Sequence, residues 1–395
     1  MRFSIVLLLF LAHCAFAAED CKNVTIPFER NSNKIYVKVK IADSEPLSFI
    51  LDSGAAFVVV DTERAKNLGL SLKPIGEQYG AGNKSVSSFS GQLSSWSIAG
   101  TQLDPVDFMG IPVNASVSAS EGRAVDGLLG YDFFQKFVII IDYDRETLTL
   151  TDPKCFQPDP SGVVIPIEVE EHEQPTASVT LTLPDGKKLN GTFIIDTGWR
   201  LALTVNTPLV QKEELLKSVQ KTIQTVTGRG LGGDTVDFVS RIPLIEMGDL
   251  KLKDVVVDFS TATAGVLASD QFSGILGAEI LRRFRVVMDY PHKRMILTPG
   301  KNVNLPYDFD LSGMFVEAEG SDLHTLRVYF VTENSPASLA GITKGDVIES
   351  LDGQTVSSLE DLRRRFKEEG EKNYVLKMKR GDKTFEVELH LRRLV

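Results

Sequence analysis

The chain has 395 residues, 43% of them hydrophobic and 24% charged, an ordinary globular composition with material for roughly two to four domains and a sizeable core. Its formal charge of -10 lacks the basic footprint of a phosphate-binding surface, which argues against nucleic acid as a partner.

The first 17 residues carry one positive charge at Arg2, an apolar run from Ile5 to Ala12 and a small-x-small site at Ala15-Phe16-Ala17. They read as a signal peptide, which predicts an exported protein, periplasmic or extracellular. The apolar run falls short of the roughly 20 residues of a membrane span, so no transmembrane anchor is expected in the mature chain. A lipid anchor at Cys14 is a minor alternative, because His13 stands where such signals usually place a small residue. With Cys14 removed, Cys21 and Cys155 remain and could close one disulfide stapling the ends of the first lobe.

Beyond the leader the sequence repeats itself. FILDSGAAFVVVD, Phe49 to Asp61, recurs as FIIDTGWRLALTV, Phe193 to Val205, with the two Asp residues 144 positions apart. Farther on, Gly130 pairs with Gly277 and Asp142-Tyr143 with Asp289-Tyr290, each Asp-Tyr following its Gly by 12 residues. Each copy opens on an Ile-Pro strand start, at Ile26-Pro27 and Ile165-Pro166. Short alternating runs such as 34–40 and 178–183, bounded by turns such as Pro184-Asp185-Gly186, predict mainly β halves. A helix is expected over 212–221, with shorter ones near 62–68 and 133–137. The charge pattern changes after Pro306, so the expected division is a first lobe at 18–155, a second at 156–305 and a further domain at 306–395.

Each repeat runs an apolar strand into Asp-Ser/Thr-Gly, at Asp52-Ser53-Gly54 and Asp196-Thr197-Gly198. Two carboxylates at contact distance cannot both ionise, so they share a proton. Such a pair can activate a water with one member while the other protonates an amide carbonyl. Gly54 and Gly198 let the backbone turn beside each acid, and the Ser53 and Thr197 hydroxyls can lock the two loops together. One such triplet is an ordinary turn; two at matching positions are a site.

These residues resemble the retropepsin and pepsin superfamily of aspartic proteases in its single-chain, two-lobe form, over about Val24 to Pro299. The resemblance implies a mainly β fold of two retropepsin-like lobes in a pepsin-like bilobal arrangement, with Asp52 and Asp196 catalytic and no cofactor or metal. It also implies an apolar pair and a glycine behind each catalytic loop, matched by Leu128-Leu129-Gly130 and Ile275-Leu276-Gly277. A glycine-containing flap is expected at Tyr79-Gly80-Ala81-Gly82-Asn83, with a second candidate at 228–233 around Gly230. Ala55, after the first triplet, sides with the retropepsins and predicts activity nearer neutral pH. Trp199, after the second, must either pack beneath its loop or intrude on the cleft. The plainer expectation puts Trp199 in core and Arg200 in solvent.

In the last domain, Ser335 suits a helix cap, Pro336 its first turn and Gly341 its end. Asp352-Gly353 signals a hairpin, and Ser357-x-x-Glu360 reads as a capping box for a helix with Leu359, Leu362 and Phe366 on its apolar face. Strands are expected near 374–378 and 384–389. The segment from Ser335 to Gly353 is similar to that of PDZ domains, α+β modules that take a peptide C-terminus as an added strand. The resemblance implies a carboxylate loop and peptide site at Leu311 to Phe315, including Ser312, Gly313, Met314 and Phe315. Ser312 departs from the apolar residue usual there. The chain's own Leu394-Val395 could dock into a neighbour's groove. The expected function is a secreted aspartic endopeptidase acting on polypeptide, with a peptide-binding PDZ domain. The alternative is a catalytically degenerate exported peptide-binding or scaffold protein.

Overall fold

The computed structural model describes Cys21 and residues 23–395; the expected signal peptide and Cys14 lie outside the described residues. The protein is mainly β. Its two repeats meet in a six-stranded sheet ordered Val24–Pro27, Thr147–Thr151, Val138–Asp142, Phe284–Asp289, Arg294–Pro299, Val163–Pro166. The central pair is antiparallel, with Ile139 opposite Met288 and Asp142 opposite Arg285. Equivalent strands therefore lie at equivalent distances from the middle. The two Ile-Pro strands form the outer edges, where proline's missing N–H removes no ladder bond. A disulfide joins Cys21 to Cys155, tying the start of the first repeat to its end.

Each Asp-Ser/Thr-Gly triplet stands at the end of a strand inside its own sheet. Leu47–Leu51 lies between Lys34–Ile41 and Gly127–Leu129, antiparallel to the first and parallel to the second. Lys188–Asp196 lies in the same way between Thr176–Thr182 and Gly274–Gly277. Strands buried on both faces read as continuous apolar runs, which is how FIL and FII are spelled. In the second lobe, Thr176–Thr182 also pairs with Gly233–Met247, closing that sheet on itself.

Several expected elements shift. The helix expected over 212–221 is two short pieces, Thr207–Lys212 and Leu215–Ser218, interrupted where Glu214 adopts a left-handed conformation (φ 49°). Pro208 starts the first piece earlier than expected, as proline in a first turn does. The helices near 62–68 and 133–137 are Thr62–Asn67 and Tyr131–Phe134. A helix unforeseen in the sequence, Val113–Glu121, ends on Gly122 in the left-handed region (φ 69°). Its sequence, VNASVSASE, is rich in serine and β-branched valine and so reads poorly as helix. Tertiary packing of Val113 and Val117, one turn apart on one buried face, holds it.

The last domain is a five-stranded sheet in sequential order, Met314–Glu319, Thr325–Val331, Val347–Leu351, Asn373–Arg380 and Lys383–His390. It has its own core, including Val328, Leu351, Leu362, Phe366 and Leu376. Ser335 caps Pro336–Leu339 as expected, accepting the Ser338 N–H at 3.2 Å. Asp352-Gly353 turns the chain tightly but opens no hairpin: Leu351 bridges only Gln354, and strand Val347–Leu351 pairs with Asn373–Arg380. The cap of Leu359–Glu368 is Ser358, which accepts the Asp361 N–H at 3.1 Å, so the helix is capped one residue after the expected Ser357 and without the reciprocal bond of a box. Glu360 instead turns to the first lobe, where it accepts the Ser32 N–H at 2.8 Å. Among the described residues, no helix is long and apolar enough to cross a membrane.

Candidate active site

The repeat brings Asp52 and Asp196 together at the junction of the lobes. An ideal Cβ built on Gly54 would fall 2.5 Å from Asp196 Oδ2, and one on Gly198 would fall 2.5 Å from Asp52 Cγ. Any side chain at either glycine would displace the opposite carboxyl. Each acid is oriented by its own loop: Gly54 N–H donates to Asp52 Oδ1 at 3.0 Å and Gly198 N–H to Asp196 Oδ1 at 2.7 Å.

The hydroxyls lock the loops reciprocally. Ser53 N–H donates to Thr197 Oγ1 and Thr197 N–H to Ser53 Oγ, both at 3.0 Å. Each hydroxyl then donates across the lobes to a carbonyl at 2.7 Å, Ser53 Oγ to Ile195 and Thr197 Oγ1 to Leu51. Gly130 and Gly277 do the same job in both halves. A Cβ would meet the Phe57 and Ala55 carbonyls at 2.1 and 2.5 Å in one lobe, and those of Leu201 and Trp199 at 2.3 and 2.5 Å in the other.

Burial raises the pKa of both acids. For Asp196 the charge of Asp52 adds to the rise and carries it well above the usual carboxylate range. For Asp52 the rise is opposed first by the charge of Lys34 and then by a hydrogen bond with Asp196. One proton therefore belongs to the pair and rests on Asp196, leaving Asp52 the stronger acid.

Lys34 was not among the residues singled out from the sequence. It lines the cleft, and its Nζ is 2.8 Å from Glu121 Oε1 on the unforeseen helix, where Tyr36 OH also donates to Glu121 Oε2 at 2.8 Å. Burial works against the Glu121 carboxylate, but the charge and hydrogen bond of Lys34, the charge of Arg363 and the Tyr36 hydroxyl together outweigh it and its pKa falls. Lys34 and Tyr36 share a face of one strand by the two-residue period, which was legible; their partner was not, because its helix carries no clear pattern.

Trp199 packs in the second lobe beside Ile194, Leu267 and Ile275, with Nε1 donating to Thr204 Oγ1 at 2.9 Å, and also borders the cleft. The expectation for Arg200 is corrected. It does not point to solvent: its guanidinium donates to the Thr227 carbonyl and lies 5.4 Å from the centre of the Phe315 ring in the last domain. The side chain thus runs toward the last domain rather than to solvent.

Both flap candidates are hairpins and they meet over the cleft. The first joins Lys73–Tyr79 to Ser85–Leu93, and the second joins Ile223–Gly230 to Gly233–Met247. Gly82 N–H donates to the Leu231 carbonyl at 2.9 Å and Lys84 N–H to that of Gly232 at 3.1 Å. A Cβ on Gly82 would lie 2.2 Å from the Gly232 carbonyl carbon, so glycine permits the crossing. Gly80 bonds back to the second lobe through its carbonyl, which accepts the Val266 N–H at 3.1 Å, while Tyr79 stays exposed and Gly230 faces Ala81. The cleft of about 330 Å³ is lined by Ile50, Ile111, Leu128, Ile194 and Ile275 together with the two acids.

The last domain packs on both lobes. Of the residues read as its peptide site, Gly313, Met314 and Phe315 lie along a small cavity beside helix Leu359–Glu368. The loop's donors are taken from within: Asp310 Oδ1 accepts Ser312 N–H at 2.9 Å, Gly313 N–H at 2.7 Å and Ser312 Oγ at 2.6 Å, and Met314 N–H donates to Ser312 Oγ at 3.0 Å. The side chain that departs from the apolar spelling thus helps to fill the nest. The chain's own end is held in place rather than free to reach a neighbour: Leu394 is buried and Arg241 Nε donates to the Val395 carbonyl at 3.0 Å.

Among known families, the aspartyl protease model matches residues 37–133, which hold Asp52, the first flap and Gly130. The PDZ domain model matches residues 310–391. No curated protein matches the chain. The second repeat, from Thr176 to Gly277, lies outside both matches and reproduces the arrangement of the first around Asp196. The chain joins an aspartyl protease domain to a C-terminal PDZ domain.

Proposed function

We propose that the protein is an exported aspartic endopeptidase. The observation that carries this reading is the pairing of Asp52 and Asp196, locked by reciprocal Ser53 and Thr197 hydrogen bonds and buried so that both pKa values rise. Asp52, ionised, takes a proton from a water as its oxygen attacks the scissile carbonyl carbon. Asp196 gives its proton to the carbonyl oxygen, forming a neutral gem-diol. Collapse of that intermediate passes a proton to the departing amine and returns the pair to one proton. The apolar walls favour an extended polypeptide with apolar side chains beside the cleaved bond, clamped beneath the two flaps. Trp199 is packed against the second lobe, which weighs against degeneracy. The disulfide supports an oxidising compartment. The PDZ domain supplies a peptide-recognition surface to the same chain.

The test is cleavage of an unfolded protein between about pH 3 and 8 by the wild type, Asp52→Asn and Asp196→Asn. Cleavage lost in both variants supports the reading. A folded wild type that cleaves nothing across the range returns the chain to a peptide-binding scaffold.

A further inference from the structure

The internal repeat makes each lobe the measure of the other at the cleft. Ile50 and Ile194 stand two residues before their Asp, Leu128 and Ile275 two before their Gly, and all four line the cleft. Parallel pairing sets Leu128 beside Ile50 and Ile275 beside Ile194, so each pair shares a sheet face. The next residue along that row is Val59 in the first lobe, opposite Leu128, and Thr204 in the second, opposite Ile275. Val59 lines the cleft, whereas Thr204 is fully buried and does not. Trp199 makes the difference. It stands three residues after its Asp, as Ala55 does in the first lobe. Its Nε1 donates to Thr204 Oγ1 at 2.9 Å, and the indole packs beside Ile194 and Ile275, along the row that stays open in the first lobe.

The rest of the row diverges in the same sense. Beside Val59 lies Met109, which lines the cleft; beside Thr204 lies Asp258, which is buried and whose Oδ1 has no hydrogen-bond partner. The first lobe adds Val113 and Val117 of helix Val113–Glu121 to its side of the cleft. At the same place the second lobe has only the short turn Val266–Ala268, with Val266 on the cleft and Leu267 buried. A large apolar side chain therefore finds a deep apolar lining on one side of the acids. On the other side it meets the indole, with polar residues behind it. Moving the indole aside would cost its packing against Leu267 and Phe272 and strand the Thr204 hydroxyl bond.

Resting on the reading of the chain as an endopeptidase, we propose that Trp199 closes the second-lobe pocket and sets the substrate class. That class is polypeptides with a large apolar residue on the first-lobe side of the cleaved bond and a small one, such as alanine or glycine, on the second-lobe side. Trp199 is then a specificity-determining residue: it borders the space where the substrate side chain sits and excludes by volume. The asymmetry lies in one position of an otherwise matched pair of loops, Ala55 against Trp199, so it can be changed without touching either acid.

The experiment uses the full chain and labelled peptides of one sequence that differ only in the central pair: Phe-Phe, Phe-Ala, Ala-Phe and Ala-Ala. Each is made with an ordinary central amide, for cleavage, and with a reduced methyleneamino link, for binding read by fluorescence anisotropy. Only one order of the mixed pair puts the large residue on the first-lobe side. The wild type is therefore expected to bind one mixed peptide at least about tenfold tighter than each of the other three. Trp199→Ala is expected to bring Phe-Phe to within about threefold of that peptide. Melting curves establish that the variant is folded, and Trp199→Leu, which keeps apolar packing in a smaller side chain, gives the same comparison if it is not. Equal affinity of the wild type for all four peptides, absence of binding included, overturns the proposal. So does Phe-Phe matching the better mixed peptide in the wild type, or discrimination against Phe-Phe unchanged in a folded Trp199 variant. The ordinary amides report the activity separately. Size discrimination in binding with no cleavage leaves the pocket assignment standing and removes the endopeptidase reading; cleavage indifferent to size does the reverse.

Discussion

Ser53 and Thr197 stand 144 residues apart, yet each hydroxyl accepts the other's backbone N–H at 3.0 Å and donates to a carbonyl beneath the opposite loop. Both are fully buried, so the four bonds have no water to replace them. Thr197→Val keeps the shape and strands the Ser53 N–H and the Leu51 carbonyl, at an expected cost of about 1–3 kcal/mol. Because the lock sets the separation of the acids, kcat falls with stability. Chemical denaturation and steady-state kinetics on the same samples check both; a variant as stable and active as wild type would remove the lock from the account.

The pH profile follows from the two raised pKa values. Asp52 must be ionised, and its value lies above the ordinary aspartate's of about 3.9, so activity is already falling as pH drops toward that figure. Asp196 must be protonated, and its larger rise carries the alkaline limb well above it. The maximum of kcat/KM is therefore expected above about pH 4. Lys34→Met removes the positive charge that opposes the rise at Asp52, so the acid limb moves to higher pH. A peak well below pH 4, or an acid limb unmoved in Lys34→Met, contradicts this assignment.

The second flap is tied to the PDZ domain. Arg229 Nη1 is 2.8 Å from Glu317 Oε1, its guanidinium lies 4.6 Å from the centre of the Tyr329 ring, and Tyr329 OH donates to Asp234 Oδ2 at 2.7 Å. Arg229→Ala frees the hairpin from this anchor. KM for peptide substrates is expected to rise by about tenfold, a loss of about 1.4 kcal/mol in binding, with a smaller change in kcat. Peptide kinetics with Arg229→Ala and Tyr329→Phe separate the flap anchor from a general loss of fold.

Glu279, just after Gly277, takes four partners: Lys367 of the PDZ helix at 2.5 Å, Arg282 and Arg283 at 3.0 Å, and Asn33 at 2.9 Å. Burial opposes its charge, but Lys367, Arg282 and Arg283 outweigh it and hold the pKa far below the usual range. Its folded value is depressed, so its stabilisation is complete above the unfolded value of about 4.3 and drains away as pH falls through the folded one. Glu279→Ala strands buried cations and is expected to cost about 3–5 kcal/mol at neutral pH, with less difference from wild type in strong acid. Denaturation midpoints measured across pH test the sign as well as the size.

Much of the catalytic half was legible because it depends on local spelling repeated twice. An apolar strand entering Asp-Ser/Thr-Gly needs glycine beside the acid, and the second copy at a matching distance turned an ordinary turn into a paired site. The flap glycines could be read for the same reason, since close backbone approach leaves no room for a side chain. The helix Val113–Glu121, by contrast, has weak local preference and exists because Val113 and Val117 are buried on one face.

What the sequence by itself determined, then, was the duplicated β architecture, the two acids and the identity of the C-terminal domain, all encoded in short-range pattern. Only the tertiary structure decided that Lys34 biases the proton toward Asp196, that Asp310 fills the PDZ loop, and that Arg200 runs toward the last domain. These are encounters between residues far apart in the chain. Charge and burial at such meetings depend on how whole sheets pack, which no local run of residues records.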